Sequence, residues 1–286
     1  MAGKLDAMRG QIRKQRRMLR DTRERPFRAA LSKFFKALRR QVDSRVSALG
    51  RTPAIEEIFR ASEFADHFGD VVLPHISRSM FMGIKAEYDL ITSFTADQSV
   101  RQGPDFSEPP EPSDIILPGG FDIPVSRKMR REISDFLKER NVGLWKDVGS
   151  TVHRKLEKAV LTSIEEGESY ELLSGRISKS LATIGKTNPL VIARPEIGYA
   201  MTSGSQMERE ELGIENKEWL STIDNNTRSG SDYNHRTIPE RIVPNKSPFT
   251  VSGERLMYPT DSSLGASAGN IVNCRCDSIV SLESLS

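Results

Sequence analysis

Residues 212–223 read LGIENKEWLSTI, and at this stretch the character of the chain changes. Before Gly213 apolar residues recur every three or four positions, which is the period of a helix. Lys217–Ile223 reads instead as a strand, and polar loops rich in Asn, Ser, Gly and Pro follow it. PFTVSGERLMYP (248–259) has the form of a hairpin turning near Ser252-Gly253, and CDSIVSL (276–282) alternates like a closing strand. Helices first and a small antiparallel sheet last is the order of an α+β fold.

Upstream of Gly213 the helical period carries Met129, Ile133, Phe136 and Leu137. After Asn141-Val142-Gly143 it resumes with Trp145, Val148, Val152, Leu156, Val160 and Ile164, and Gly167 is expected to close that helix. Leu173, Ile177 and Leu181 mark the next one. Asn188-Pro189 then supplies a cap-plus-proline start for a segment reaching about Glu211, with Pro195 predicting a kink or a late start. Six prolines and three glycines in RQGPDFSEPPEPSDIILPGGFDIPV (101–125) rule out a continuous helix and predict a linker. The expected organisation is therefore a basic helical region at 1–100, a linker at 101–125, and a domain at 126–286. That domain is helical to about 212 and β-rich over 213–286.

The N-terminal region is set apart by charge. Residues 1–45 hold 15 Lys and Arg against 4 Asp and Glu, whereas the remainder holds 27 against 35. Phe27, Leu31, Phe34, Leu38, Val42, Val46 and Leu49 form one apolar stripe, which Pro26 separates from an earlier basic segment. Thr52-Pro53 predicts a further helix over 53–67, and another runs from Val71 to Thr92 after Gly69. Such an arm is expected to meet something acidic, above all nucleic-acid phosphates. Its candidates are Arg9, Arg13, Lys14, Arg16, Arg17, Arg20, Lys33, Lys36, Arg39 and Arg40. An acidic protein, an anionic membrane surface or plain solvent are the other readings of such a face. No apolar run is long enough to cross a bilayer, so a membrane partner is not expected. The basic start argues against an export leader and for a reducing compartment, where a structural disulfide is disfavoured.

The cysteines are confined to Asn273-Cys274-Arg275-Cys276. In an extended chain Cys274 and Cys276 point to one face, and a disulfide between them would be strained. A zinc ion would need two further ligands, for which DNNTRSGSDYNH (224–235) offers Asp224, Asp232 and His235. Simple packing of two reduced thiols is the plainer alternative. Cys274 with His235 and Asp224 would also supply the groups for an activated thiolate. No glycine-rich phosphate loop follows a strand. Arg194 and Glu196 could pair with each other, grip a partner or face solvent, and Asp224 and Arg228 could pin their loop as an ion pair.

Five blocks in order resemble the phage head morphogenesis family, the minor head proteins similar to the F protein of phage Mu. They are SIEEGES (163–169), IARPE (192–196), WLSTIDNNTRSGSDYNH (219–235), PFTVSGERLMYP (248–259) and NCRC (273–276). The resemblance covers about half the chain. Pro195 stands where the family commonly has threonine, and the 224–235 loop lacks the family's compact spacing. The motif residues carried over are Arg194, Glu196, Trp219, Arg228, Pro248, Phe249, Gly253, Asn273 and Arg275. The resemblance implies a structural protein of the virion or prohead interior, made in the host cytoplasm and present in few copies at the portal vertex. Its implied partners are the portal protein, the major capsid protein and packaged double-stranded DNA. Family members have also been likened to ADP-ribosyltransferase folds, which leaves an enzymatic alternative around His235, Cys274 and Cys276.

Overall fold

The computed structural model describes residues 2–95 and 126–285, so the proline-rich stretch at 101–125 lies outside the described residues. The elements run α1 (Ala2–Leu49), α2 (Ile55–Ile58), α3 (Ala61–Thr95), α4 (Arg127–Glu165), α5 (Tyr170–Glu211), β1 (Asn216–Leu220), β2 (Ile242–Pro244), β3 (Phe249–Val251), β4 (Glu254–Leu256), α6 (Ala268–Ile271) and β5 (Asp277–Val280). The α+β order read from the sequence is the observed one. Among the described residues no helix is long and apolar enough to cross a membrane.

The helices are fewer and longer than the breakers predict. Pro26 does not divide α1, Gly69 and Pro74 do not interrupt α3, and Asn141–Gly143 lies within α4. Pro189 and Pro195 both lie inside the unbroken α5. The helix expected over 53–67 is instead the short α2 followed by the start of α3. Tertiary burial overrides local propensity here. In α1 the buried positions stay in helical phase across Pro26, from Ile12, Arg16 and Arg20 to Phe27, Leu31, Phe35, Leu38, Val42 and Val46. Gly167 and Gly213 do act as stops. Both take positive φ, 62° and 66°, and behind Gly213 the Ile214 amide donates to the Arg209 carbonyl at 2.8 Å.

The chain forms two compact units. One comprises the described residues of Met1–Glu24, Ile76–Asp135 and Arg194–Ser286; the other is Arg25–His75 with Phe136–Ala193. Each long helix contributes a segment to both, so the sequence boundaries at 100 and 126 do not coincide with this division. In the second unit Phe34 meets Phe64 and Phe68 edge-on, and Phe64 stacks on Phe68 with centroids 5.2 Å apart.

In the first unit β1 is the central strand of an antiparallel sheet ordered β2-β1-β5, and β3 and β4 form a separate hairpin. The register pairs Trp219 with Ser278 and Lys217 with Val243. Because side chains alternate along a strand, β1 serves two cores. Trp219 packs with Val243, Phe249, Val251, Leu256, Cys274 and Cys276. Leu220 packs with Ile279, Leu282 and Ile12 of α1. Both faces are covered, which explains the near-continuous burial of β1. The hairpin turns at Ser252-Gly253, whose φ of 52° and 80° are those of a two-residue turn with both central residues left-handed.

Candidate metal centre

His235 and the two cysteines, some forty residues apart in sequence, are assembled by the small sheet. His235 closes the 224–235 loop through a Ser229–Asn234 bridge and the hydrogen bond of its own amide to the Arg228 carbonyl at 2.9 Å. Its ring meets the Trp219 indole edge-on with centroids 5.8 Å apart, and Trp219 meets Phe249 in the same way at 5.3 Å. The backbone reverses at Asn273, where φ is 59°, and delivers Cys274 and Cys276 to the same core. Both thiols are free and buried.

His235 Nδ1 lies 3.3 Å from Cys274 Sγ and 3.8 Å from Cys276 Sγ. On the other side of the ring, Nε2 is 2.9 Å from Asn270 Oδ1. Asn270 is fixed in turn, because its amide nitrogen donates to the Val251 carbonyl at 3.1 Å and to Glu254 at 2.6 Å. Asn270 therefore presents its carbonyl oxygen to the histidine. That sets the proton on Nε2 and turns the Nδ1 lone pair towards the sulfurs.

The electrostatics of the cluster are those of a thiol pair sharing charge. The Cys276 hydrogen bond holds Cys274 well below the usual thiol range against the opposing effect of burial, with His235 adding to the pull. Cys276 is driven well above that range by the same Cys274 interaction and by burial. For His235 burial works downwards, but the hydrogen bond and charge of Cys274 raise it overall.

The donor atoms of His235, Cys274 and Cys276 all lie within 4.8 Å of one another, and the cluster could hold a metal ion. With metal–nitrogen and metal–sulfur bonds of about 2.0 and 2.3 Å, tetrahedral geometry separates N from S by about 3.5 Å. The two observed separations fall on either side of this distance. An outer hydrogen bond on the second ring nitrogen is also what a ligating histidine requires.

The fourth expected ligand, Asp224, does not join the cluster. Its Oδ1 accepts from the Asn226 amide at 2.9 Å and from the Thr227 hydroxyl at 3.0 Å. Its Oδ2 sits 3.8 Å from both Arg17 and Arg275. Asp232 is exposed and takes a hydrogen bond from Ser231. The expected Asp224–Arg228 pair is not formed either, since Arg228 donates to the Val272 carbonyl. Asp224 is held by its own loop, whereas Arg228 reaches out of that loop to the segment just before the cysteines.

The remaining motif residues support this frame. Arg194 is engaged elsewhere in the first unit. It grips Glu24 of α1 through two nitrogens at 3.0 and 3.1 Å, and its third nitrogen reaches Asn273 Oδ1 at 3.1 Å. Glu196 is buried. Pro248 leads into β3, Phe249 is fully buried, and Gly253 supplies the hairpin turn. Asn270 was missed by sequence reasoning. It lies three residues before Asn273 in an unremarkable Ala-Gly-Asn run, and only the fold gives it a partner.

No family model, curated protein or solved structure matches this chain.

The basic arm needs the largest correction. Arg9, Arg16 and Arg20 are buried, not turned to solvent. Arg9 contacts Glu218 at 2.6 Å and Glu283 at 3.1 Å. Arg16 contacts Glu87 at 2.5 Å, and Arg20 lies 3.4 Å from Asp277. Strand alternation accounts for this, because Glu218 and Asp277 point to the α1 side of the sheet together with Leu220 and Ile279. Arg13 is half-buried, while Lys14, Arg17, Lys33, Lys36, Arg39 and Arg40 are exposed.

Proposed function

We propose that this chain is a minor head protein of a phage, acting in head morphogenesis at the portal vertex and carrying zinc at its cysteine–histidine cluster. One observation carries the reading. Four sequence blocks that resemble the head morphogenesis family, spread from Arg194 to Cys276, meet in one connected network in a single compact unit. Arg194 bonds Asn273, Arg228 bonds the Val272 carbonyl, Trp219 stands between His235 and Phe249, and His235 meets both cysteines. Residues of a shared motif that also share a site are constrained together. In this reading the portal or major capsid protein is the docking partner, packaged DNA faces the exposed basic residues, and the protein resides inside the prohead. Zinc suits two thiolates and an imidazole better than the oxygen-seeking cations do.

The deciding experiment is quantitative mass spectrometry of gradient-purified empty and full particles from cells producing this protein. A few copies per particle in both is the expected result. Absence from every particle would remove the head-protein reading.

The Cys274–His235–Asn270 relay favours a second reading, a thiolate nucleophile of a transferase or hydrolase. Cys274 is only 3% exposed, which bars a substrate from the sulfur in this conformation. Alkylation of the native, metal-free protein decides: rapid labelling of Cys274 supports the nucleophile, and labelling only after unfolding eliminates it.

A further inference from the structure

A tetrahedral zinc ion takes four donors, and among the described residues the cluster supplies three. Where the fourth comes from determines whether the metal is sealed into the fold or open to exchange. Two observations bear on this. Beside the cluster is a cavity of about 10 Å³, whose lining includes His235, Cys274 and Cys276 together with Asp224, Arg228 and Arg275. That is about the room of one water molecule. Asp224 lines this cavity, and its Oδ2 is a buried carboxylate oxygen that has no hydrogen-bond partner, with the Arg17 and Arg275 guanidinium groups 3.8 Å away. A buried acceptor of this kind calls for a donor.

We infer that the fourth position on the zinc is filled by a solvent molecule held in this cavity, with Asp224 Oδ2 accepting its hydrogen bond. The inference rests on the zinc reading and extends it, because a zinc site with three protein ligands and water is exchangeable, whereas a four-residue structural site is closed. The cavity sets what can exchange. Two guanidinium groups on its wall favour an anion, and its size restricts that anion to a small monodentate one. Asp224 is thus a positioning residue, whose Oδ1 is held by the loop while Oδ2 is left without a hydrogen bond.

The test uses the full chain, reduced and loaded with cobalt(II), whose electron paramagnetic resonance line broadens when coordinated water carries the magnetic oxygen isotope. One cobalt per chain, a four-coordinate sulfur-ligated absorption spectrum and clear broadening in isotope-enriched water are expected. Asp224→Ala is expected to keep the stoichiometry and the spectrum while weakening metal affinity about 10–100-fold, the usual effect of losing an outer-shell partner. A line that does not broaden in the unsubstituted protein overturns the inference, because the fourth donor is then a protein group. Loss of the four-coordinate spectrum in Asp224→Ala, with the fold intact by circular dichroism, overturns it as well by making Asp224 itself the ligand. Failure of the reduced protein to take up either cobalt or zinc is a different result and removes the zinc reading itself.

Discussion

At the scale of single residues, the polar interior is where this protein is most sensitive. Glu208 is 2% exposed, and its Oε2 has no hydrogen-bond partner. Burial, reinforced by the charges of Glu87 and Glu211, pushes its carboxyl up to about 8. Its folded value is therefore above its unfolded one, so the stability it contributes is complete below about 4.5 and is lost as pH rises to about 8. Glu208→Gln removes that penalty. The variant is expected to match the parent near pH 4 and to exceed it at pH 8 and above, by an amount on the order of a few kcal/mol. Thermal melts of both proteins across this range measure the difference; a gap that does not grow with pH would mean that Glu208 is ionised in the fold. The cysteine–histidine cluster was half legible at the same scale. Cys-x-Cys and a distant histidine are chemical types that sequence displays, and both were found. Asp224 stands outside the three-residue cluster, because a side chain's nearest partner depends on which way its loop folds.

At the scale of elements, glycine does more to fix the helix packing than proline does to break it. A Cβ on Gly83 of α3 would stand 2.0 Å from the Met201 carbonyl oxygen of α5, and one on Gly204 would stand 2.2 Å from the Met80 carbonyl oxygen. Two helix backbones thus meet directly in the first unit, and nothing flexible is available to yield. Ser205 adds a hydrogen bond to the Gly83 carbonyl at 3.1 Å. Gly83→Ala and Gly204→Ala are each expected to cost about 3 kcal/mol or more through forced overpacking. Gly10→Ala, on α1 with open space around its Cβ, should instead gain up to about 1 kcal/mol. Urea unfolding of the three variants checks the contrast, and equal effects would contradict the backbone contact. None of this could be read from sequence, where Gly69, Gly83, Gly143 and Gly204 look alike. The same blindness broke α1 and α5 at prolines, α3 at Gly69 and α4 at a loop-like triplet, all of which lie within continuous helices. The strands fared better: a period of two, a two-residue turn and β-prone side chains are local signals, and β1, the β3–β4 hairpin and β5 all lie where those signals placed them.

For the molecule as a whole, the charge asymmetry has two parts that composition merges. One part is internal: Arg9 and Arg16 neutralise Glu218 and Glu87 in the first unit, and Arg209 also contacts Glu87, at 3.0 Å. The other is external: Lys33, Lys36, Arg39 and Arg40 are exposed in the second unit. Only the external part is free to meet phosphate. A truncation of residues 1–45 would not test DNA binding, since it removes buried side chains from both units. Substitution separates the two parts. Replacing Lys33, Lys36, Arg39 and Arg40 by glutamine should leave the melting temperature nearly unchanged. If all four touch phosphate, the slope of log affinity against log salt on duplex DNA should fall by about 3.6. Arg9→Gln should do the opposite, leaving the slope near its original value while costing up to about 3 kcal/mol by leaving buried Glu218 with Arg241 alone, 3.4 Å away. The expectation follows from burial alone: a guanidinium already committed to an interior carboxylate has no donors to spare for a phosphate. Fluorescence anisotropy over a salt series reads the slope, and denaturant unfolding of the same samples reads the stability. A fourfold-neutralised protein that binds duplex DNA with its salt slope intact would exclude this face of α1 as the DNA-contacting surface and leave exposed Lys14 and Arg17 as the arm's remaining candidates for the DNA-facing part of the head-protein proposal.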